Sequence, residues 1–133
     1  MTQKSVMQQV HETVMSDRLV RAKELKKQGR TVMGYVCCFV PLEMFTALDI
    51  VPVRMLGNCG ENQSEADKHV ENIMCSFIRS VFDVDLKGQY DFLDGLVVPH
   101  SCDSVCMTWG LWPFYRQRAF QHFLDVPHVV NET

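Results

Sequence analysis

Apolar residues fall along this chain in two kinds of run, compact blocks and stretches spaced by threes and fours, and the two kinds alternate. The apolar run from Leu93 to Val98 predicts a buried strand. It breaks at Pro99, ahead of Ser101 and Asp103, which suit a helix start. "TVMGYVCCF", Thr31 to Phe39, is rich in β-branched, aromatic and cysteine side chains and predicts a first strand ending before Pro41. "DIVPVRML", closed by Gly57, predicts a second, and between them "PLEMFTAL" gives a short apolar helix with Pro41 in its first turn. Ala66, Val70, Ile73, Met74, Phe77, Ile78 and Val81 share one helical stripe, so a single amphipathic helix is expected from Glu65 to Phe82, with Ser64 and Asp67 at its start.

Upstream, Leu19, Val20, Ala22 and Leu25 predict a helix from a capping Asp17 to Gln28, with Gly29 as C-cap. Val6, Val10 and Val14 carry helical spacing into the first residues. After Pro113, "FYRQRAFQHFL" is expected to be helical and "VPHVVN" to be a fourth strand. Helix and strand therefore alternate, which implies an α/β fold: a three-layer, Rossmann-like parallel sheet of about four strands with helices on both faces. Residues 1–16 read as a helical extension and residues 17–133 as the α/β domain.

Composition narrows the classes. At 133 residues, with 47% hydrophobic and 22% charged residues, the chain has the make-up of one globular domain. The net charge of -3 offers no basic patch for nucleic acid, and Lys23, Lys26, Lys27 and Arg30 read as a solvated helix face. No run reaches the ~18 apolar residues of a membrane helix, and the start lacks the apolar core of a signal peptide, so a cytoplasmic protein is expected. Six cysteines in that setting point to burial, metal binding or redox chemistry rather than structural disulfides.

Three of them fall where chemistry is expected. Cys37 ends the first strand, Cys75 lies on the flank of the long helix beside Arg79, and Cys102 follows the third strand in the first turn of a helix, with Cys106 on the same face. Parallel strands bring Cys37 and Cys102 to one edge of the sheet, which suits a thiolate cluster holding a metal or iron-sulfur centre; plain burial is the competing reading for each. Cys38, Cys59 and Cys106 read as packing residues. Glu43 and His100 are candidates for acid-base work at the same edge, and Arg79 for lowering a thiol pKa or binding an anion, with solvation as the bland reading of each. Trp109, Trp112, Phe114 and Tyr115 read as core, or as the lining of an acyl pocket. No G-x-G-x-x-G, P-loop or G-x-S-x-G motif is present, which removes the usual nucleotide and serine-hydrolase readings.

"GYVCCFVPLEMFTALDIVPVRMLG", "CSFIRSVFD" and "YDFLDGLVVPHSCDS", in that order, resemble the N-terminal part of the 2-hydroxyacyl-CoA dehydratase and benzoyl-CoA reductase family over roughly residues 17–131. The resemblance implies an iron-sulfur cluster, 4Fe-4S or related, with Cys75 and Cys102 at ligand positions and Cys37 at a less uniform one. It implies an acyl-CoA substrate undergoing radical dehydration or reduction, a second homologous subunit, and an ATP-dependent activator that delivers electrons. It also implies a C-terminal domain and a further cysteine ligand that this sequence does not contain. Where the family commonly has two acids after the motif proline, this chain has Leu42 and Glu43. A non-catalytic truncated or assembly domain without a complete cluster is the alternative. A small zinc-binding protein using Cys102, Cys106 and a histidine is a third reading, weakened by the lack of a second close cysteine pair.

Overall fold

The computed structural model describes residues 5–7, 19–58, 60, 62–127 and 129. The expected extension over residues 1–16 falls almost wholly outside these, as do Asp17 and Cys59. In chain order the elements are α1 (Val20–Lys27), β1 (Val32–Tyr35), α2 (Leu42–Ala47), β2 (Val51–Arg54), a 3-10 turn (Ala66–Lys68), α3 (Ser76–Leu86), β3 (Gly95–Pro99), α4 (Asp103–Tyr115) and β4 (Phe120–Leu124). The strands form one sheet in the order β2-β1-β3-β4, and every neighbouring pair is parallel. The α/β layout expected from the alternating pattern is the layout found. No helix among the described residues is long and apolar enough to cross a membrane.

Strand alternation sorts the core onto two faces. Val32 and Val36, with Leu96 and Val98, pack against Ala22 of α1, Ile78, Val81 and Phe82 of α3, and Trp112 of α4. Met33 and Val97 face the other way, where Leu42 and Phe45 of α2 cover them. Pro52 sits in β2, an edge strand, where its missing N–H breaks no internal ladder.

The starts of β1 and β3 are pinned together. Asp94 donates its backbone N–H to the Val32 carbonyl at 2.8 Å and accepts from the Val32 N–H through its carboxylate at 2.8 Å, while Lys26 of α1 pairs with the same carboxylate. On the far side of β3 the fit is close enough that a Cβ on Gly95 would stand 2.6 Å from the Phe120 carbonyl oxygen.

Three expectations are corrected. The helix from Glu65 to Phe82 is instead a 3-10 turn, a break, and then α3 starting at Ser76. Asp83 of α3 accepts hydrogen bonds from the backbone of Glu65 (2.8 Å) and Ala66 (3.1 Å). Arg79 donates to the Asn72 carbonyl (3.3 Å) and side chain (3.0 Å) and pairs with Asp67. These contacts fold residues 65–75 back along α3. Ala66, Val70 and Met74 are still buried, but Ile73, expected on the same stripe, is 94% exposed. Secondly, α4 runs through Pro113 to Tyr115, and the segment expected to be helical after it contains β4. Asp85, fully buried in α3, accepts from Trp112 Nε1 at 2.7 Å and from Arg118, which fixes the chain leaving α4 in an extended path. Thirdly, Val126 and Pro127 belong to no regular element, so the fourth strand lies before "VPHVVN", most of whose other residues are outside the described set.

Asp83 and Asp94 make this fold sensitive to acid. Burial alone would raise both carboxyls. For Asp83, hydrogen bonds from Lys87 and the Ala66 and Glu65 amides outweigh burial and hold it below the usual carboxylate range. For Asp94, Lys26 and the Val32 amide do the same. A group depressed on folding stabilises fully above its unfolded pKa of about 3.9 and loses that stabilisation as pH falls through the lower folded value. The thermal midpoint should hold steady from neutral pH to about pH 5 and then drop. Asp94→Ala should lower stability at pH 7 by about 1–3 kcal/mol, because the Val32 amide and Lys26 lose their acceptor, and should flatten the acid limb in calorimetry across that range.

Candidate functional site

From β1 the chain passes through α2 to β2 on one side, while β3, on the other side of β1, is reached through α3 on the opposite face. The crevice between the carboxyl ends of β1 and β3 is therefore the topological switch point, where ligands of open α/β sheets bind. Tyr35 lies level with Val97 in the ladder, so the residues after β1 and those after β3 leave the sheet at the same edge.

Cys37 stands two residues beyond β1 at φ 58, a left-handed conformation uncommon for a residue with a Cβ and costing of order 1–3 kcal/mol. Its thiol is half-buried. Burial pushes it up from its ordinary value, partly offset by a hydrogen bond with the Ser101 side chain and by the Arg54 charge, while Cys102 and Cys38 push it further up. Sequence pattern marks Ser101 only as a helix starter and gives Arg54 no role. "HSCDS" holds a signal for Ser101, since hydroxyls flank the cysteine, whereas Arg54 is placed by the sheet alone.

Cys102 is not within the first turn of α4 but is its N-cap, exposed and extended at φ -163, ψ 167. Cys75, expected on a helix flank, is the exposed N-cap of α3, because the break just described ends at that residue. Neither side chain makes a cap hydrogen bond to its helix. The Cys75 amide donates to Ser104 Oγ in the first turn of α4 at 3.3 Å, which ties the two helix starts to each other. The structure thus brings the starts bearing Cys75 and Cys102 together at the edge that carries Cys37.

The remaining candidates are distributed differently. Cys106 lies one turn into α4, its amide bonded to the Cys102 carbonyl at 3.0 Å, and partial burial followed by the Asp103 charge raises its thiol. Cys38 is exposed. Glu43 is exposed in the first turn of α2, at the sheet edge of the crevice. His100 hydrogen-bonds through Nδ1 to Asp125 at 2.9 Å and packs on Phe123. Arg79 is engaged with Asp67 and Asn72 and acts as a clamp on the preceding loop. Trp112 is core, Trp109 stacks on Phe123, and Phe114 is 81% exposed. Among the described residues no group of three or more His, Cys, Asp or Glu side chains is placed to hold a metal ion.

A family model described as 2-hydroxyglutaryl-CoA dehydratase, D-component, matches residues 37–133. The chain is similar to a benzoyl-CoA reductase subunit of Thauera aromatica, 27% identical over 100 residues that cover 74% of this chain and 26% of that protein. It is similar to the (R)-phenyllactyl-CoA dehydratase beta subunit of Clostridium sporogenes, 29% identical over 86 residues, 64% of this chain and 23% of that one. A third relative is the beta subunit of (R)-2-hydroxyglutaryl-CoA dehydratase from Acidaminococcus fermentans, 28% identical over 80 residues, 60% and 21%. The chain spans about a quarter of the length of these curated relatives.

Exposure and thiol acidity set an order of reactivity. In the metal-free chain at pH 8, iodoacetamide should modify Cys38, Cys75 and Cys102 before Cys37 and Cys106, whose raised pKa values leave less thiolate. Time-resolved peptide mass spectrometry reads that order; early modification of Cys37 would contradict the geometry of the crevice.

Proposed function

Because the chain belongs to the 2-hydroxyglutaryl-CoA dehydratase D-component family, we propose that residues 17–133 are the N-terminal α/β domain of an iron-sulfur subunit acting on an acyl-CoA thioester. Cys75, Cys102 and Cys37 are its cluster ligands in this reading. The observation that carries it is the Cys75 to Ser104 hydrogen bond, which places two uncapped cysteine-bearing helix starts side by side at the switch point. The donor chemistry fits: thiolates are the ligands iron-sulfur clusters take, Cys37 and Cys102 are close enough for their charges to interact, and the Cys75 amide is bonded to Ser104 beside Cys102. Three thiols are one short of the usual four, so the proposal includes one further ligand.

When bound, such a cluster supplies one-electron reduction. The chain's own residues do the rest. Cys75 and Cys102, exposed at the starts of α3 and α4, present their sulfurs without a competing cap hydrogen bond. Ser101 holds the Cys37 sulfur, and Ser104 keeps the two helix starts in register. His100, oriented by Asp125, and Glu43, at the start of α2, are the groups assigned to proton handling at this edge. The relatives are named as subunits of dehydratases and a reductase, so a second homologous subunit, an ATP-dependent activator and a cytoplasmic setting belong to the same proposal. A non-catalytic assembly domain without a complete cluster is the second reading.

Anaerobic reconstitution with iron and sulfide separates the two. The proposal expects a brown chain that retains iron, and expects Cys75→Ala and Cys102→Ala to lose most of it while keeping the wild-type thermal midpoint, since both side chains are exposed. A chain that retains no iron is the assembly domain instead, and variants that keep their iron would overturn the ligand assignment.

A further inference from the structure

Beside the cysteine edge, α1 and the edge strand β2 enclose a groove of about 320 Å³, a volume within the range of small-molecule sites. Leu25, Val53 and Leu56 give it apolar walls, with Tyr90, and Arg21 and Arg54 stand on its lining. Tyr90 is held rigid by paired hydrogen bonds with the Leu56 backbone, accepting from its N–H at 2.8 Å and donating to its carbonyl at 2.7 Å.

Four other described arginines are committed. Arg30 pairs with Asp49, Arg79 with Asp67, Arg116 with Asp91 and Arg118 with Asp85. Among the described residues Arg21 pairs with Glu24, an exposed partner on its own helix, at 3.3 Å, a pairing worth little in water. Among the described residues Arg54 alone of the arginines has no hydrogen bond or ion pair, and it is exposed. It ends β2 at the edge where Cys37 leaves β1, and its charge acts on the Cys37 thiol. An uncommitted guanidinium over an apolar groove is a fit for a phosphorylated, partly apolar ligand, because the planar fork binds phosphate oxygens in pairs.

We propose that the groove between α1 and β2 holds the adenosine diphosphate end of coenzyme A, with Arg54 and Arg21 on its phosphates and the pantetheine arm leading past Arg54 to the cysteine edge. This rests on the acyl-CoA reading above and adds to it where the carrier lies. The groove supplies most of the affinity through the nucleotide, and the 3′-phosphate and the arm, which ADP lacks, add the remainder and position the thioester end.

Calorimetric titration of the full, metal-free chain with coenzyme A, ADP and pantetheine tests this at low salt. Coenzyme A should bind, ADP should compete with it more weakly, pantetheine should displace neither, and the affinity should fall as salt rises. Arg54→Gln should weaken coenzyme A roughly tenfold, as expected for the loss of one charged hydrogen-bonding partner, and Arg21→Gln by a smaller factor. Because Arg54 has no partner among the described residues, its variant should keep the wild-type melting point, which separates lost binding from lost folding. No binding of coenzyme A, unchanged binding to Arg54→Gln, or competition by pantetheine rather than ADP overturns the groove assignment. ADP binding as tightly as coenzyme A overturns it in favour of a free-nucleotide site. Iron retention by the same chain is measured apart from these titrations, so the groove can fail while the cluster assignment stands.

Discussion

Everything at the cysteine edge depends on how β1 and β3 are set against each other at their opposite ends. Asp94 makes that setting: its backbone and carboxylate close a two-point bond with Val32, and Lys26 neutralises it. In a parallel ladder a slip of one residue would reverse the face of every side chain. Val36 would lose its core position, and Cys37 would no longer stand level with the turn after β3. The carboxylate that fixes the register thus lies at the far end of the strands from the thiols it aligns.

A fully buried carboxylate fixes the other wall of the crevice. Asp85 takes hydrogen bonds from Trp112 and Arg118, which locks α3 to α4 and to the start of β4. With α3 and α4 joined near one end by Asp85 and near the other by the Cys75 to Ser104 bond, the two helix starts have little freedom to separate. Pre-alignment of that kind is what a site built on helix N-termini requires.

The strands β1, β2 and β3, together with α2 and the start of α4, are legible in the sequence because each rests on local pattern, apolar blocks bounded by proline and polar residues. The position of Cys75 is not. Its neighbours Ala66, Val70, Met74 and Ile78 keep helical spacing through a stretch that is not one helix, and all four are buried. Periodicity records that a side chain faces the core and is silent on whether the chain has doubled back to put it there. The fold-back is written instead in Asp83 and Arg79, polar residues whose partners are distant in sequence. β4 escapes sequence reading for a related reason: "RAFQHFL" fits either period, and the buried pairing of Arg118 with Asp85 decides it. Family resemblance marks Cys75 from its motif, and the break puts that residue at the N-cap of α3.

Whether these sulfurs hold iron together decides the cluster assignment. The direct measurement is a cysteine protection map: anaerobic alkylation and peptide mass spectrometry of the iron-loaded chain against the metal-free chain. Protection of Cys37, Cys75 and Cys102, with Cys38 and Cys106 as reactive as before, is the predicted result. Uniform reactivity in the two samples, or protection falling on Cys38 and Cys106 instead, would contradict it.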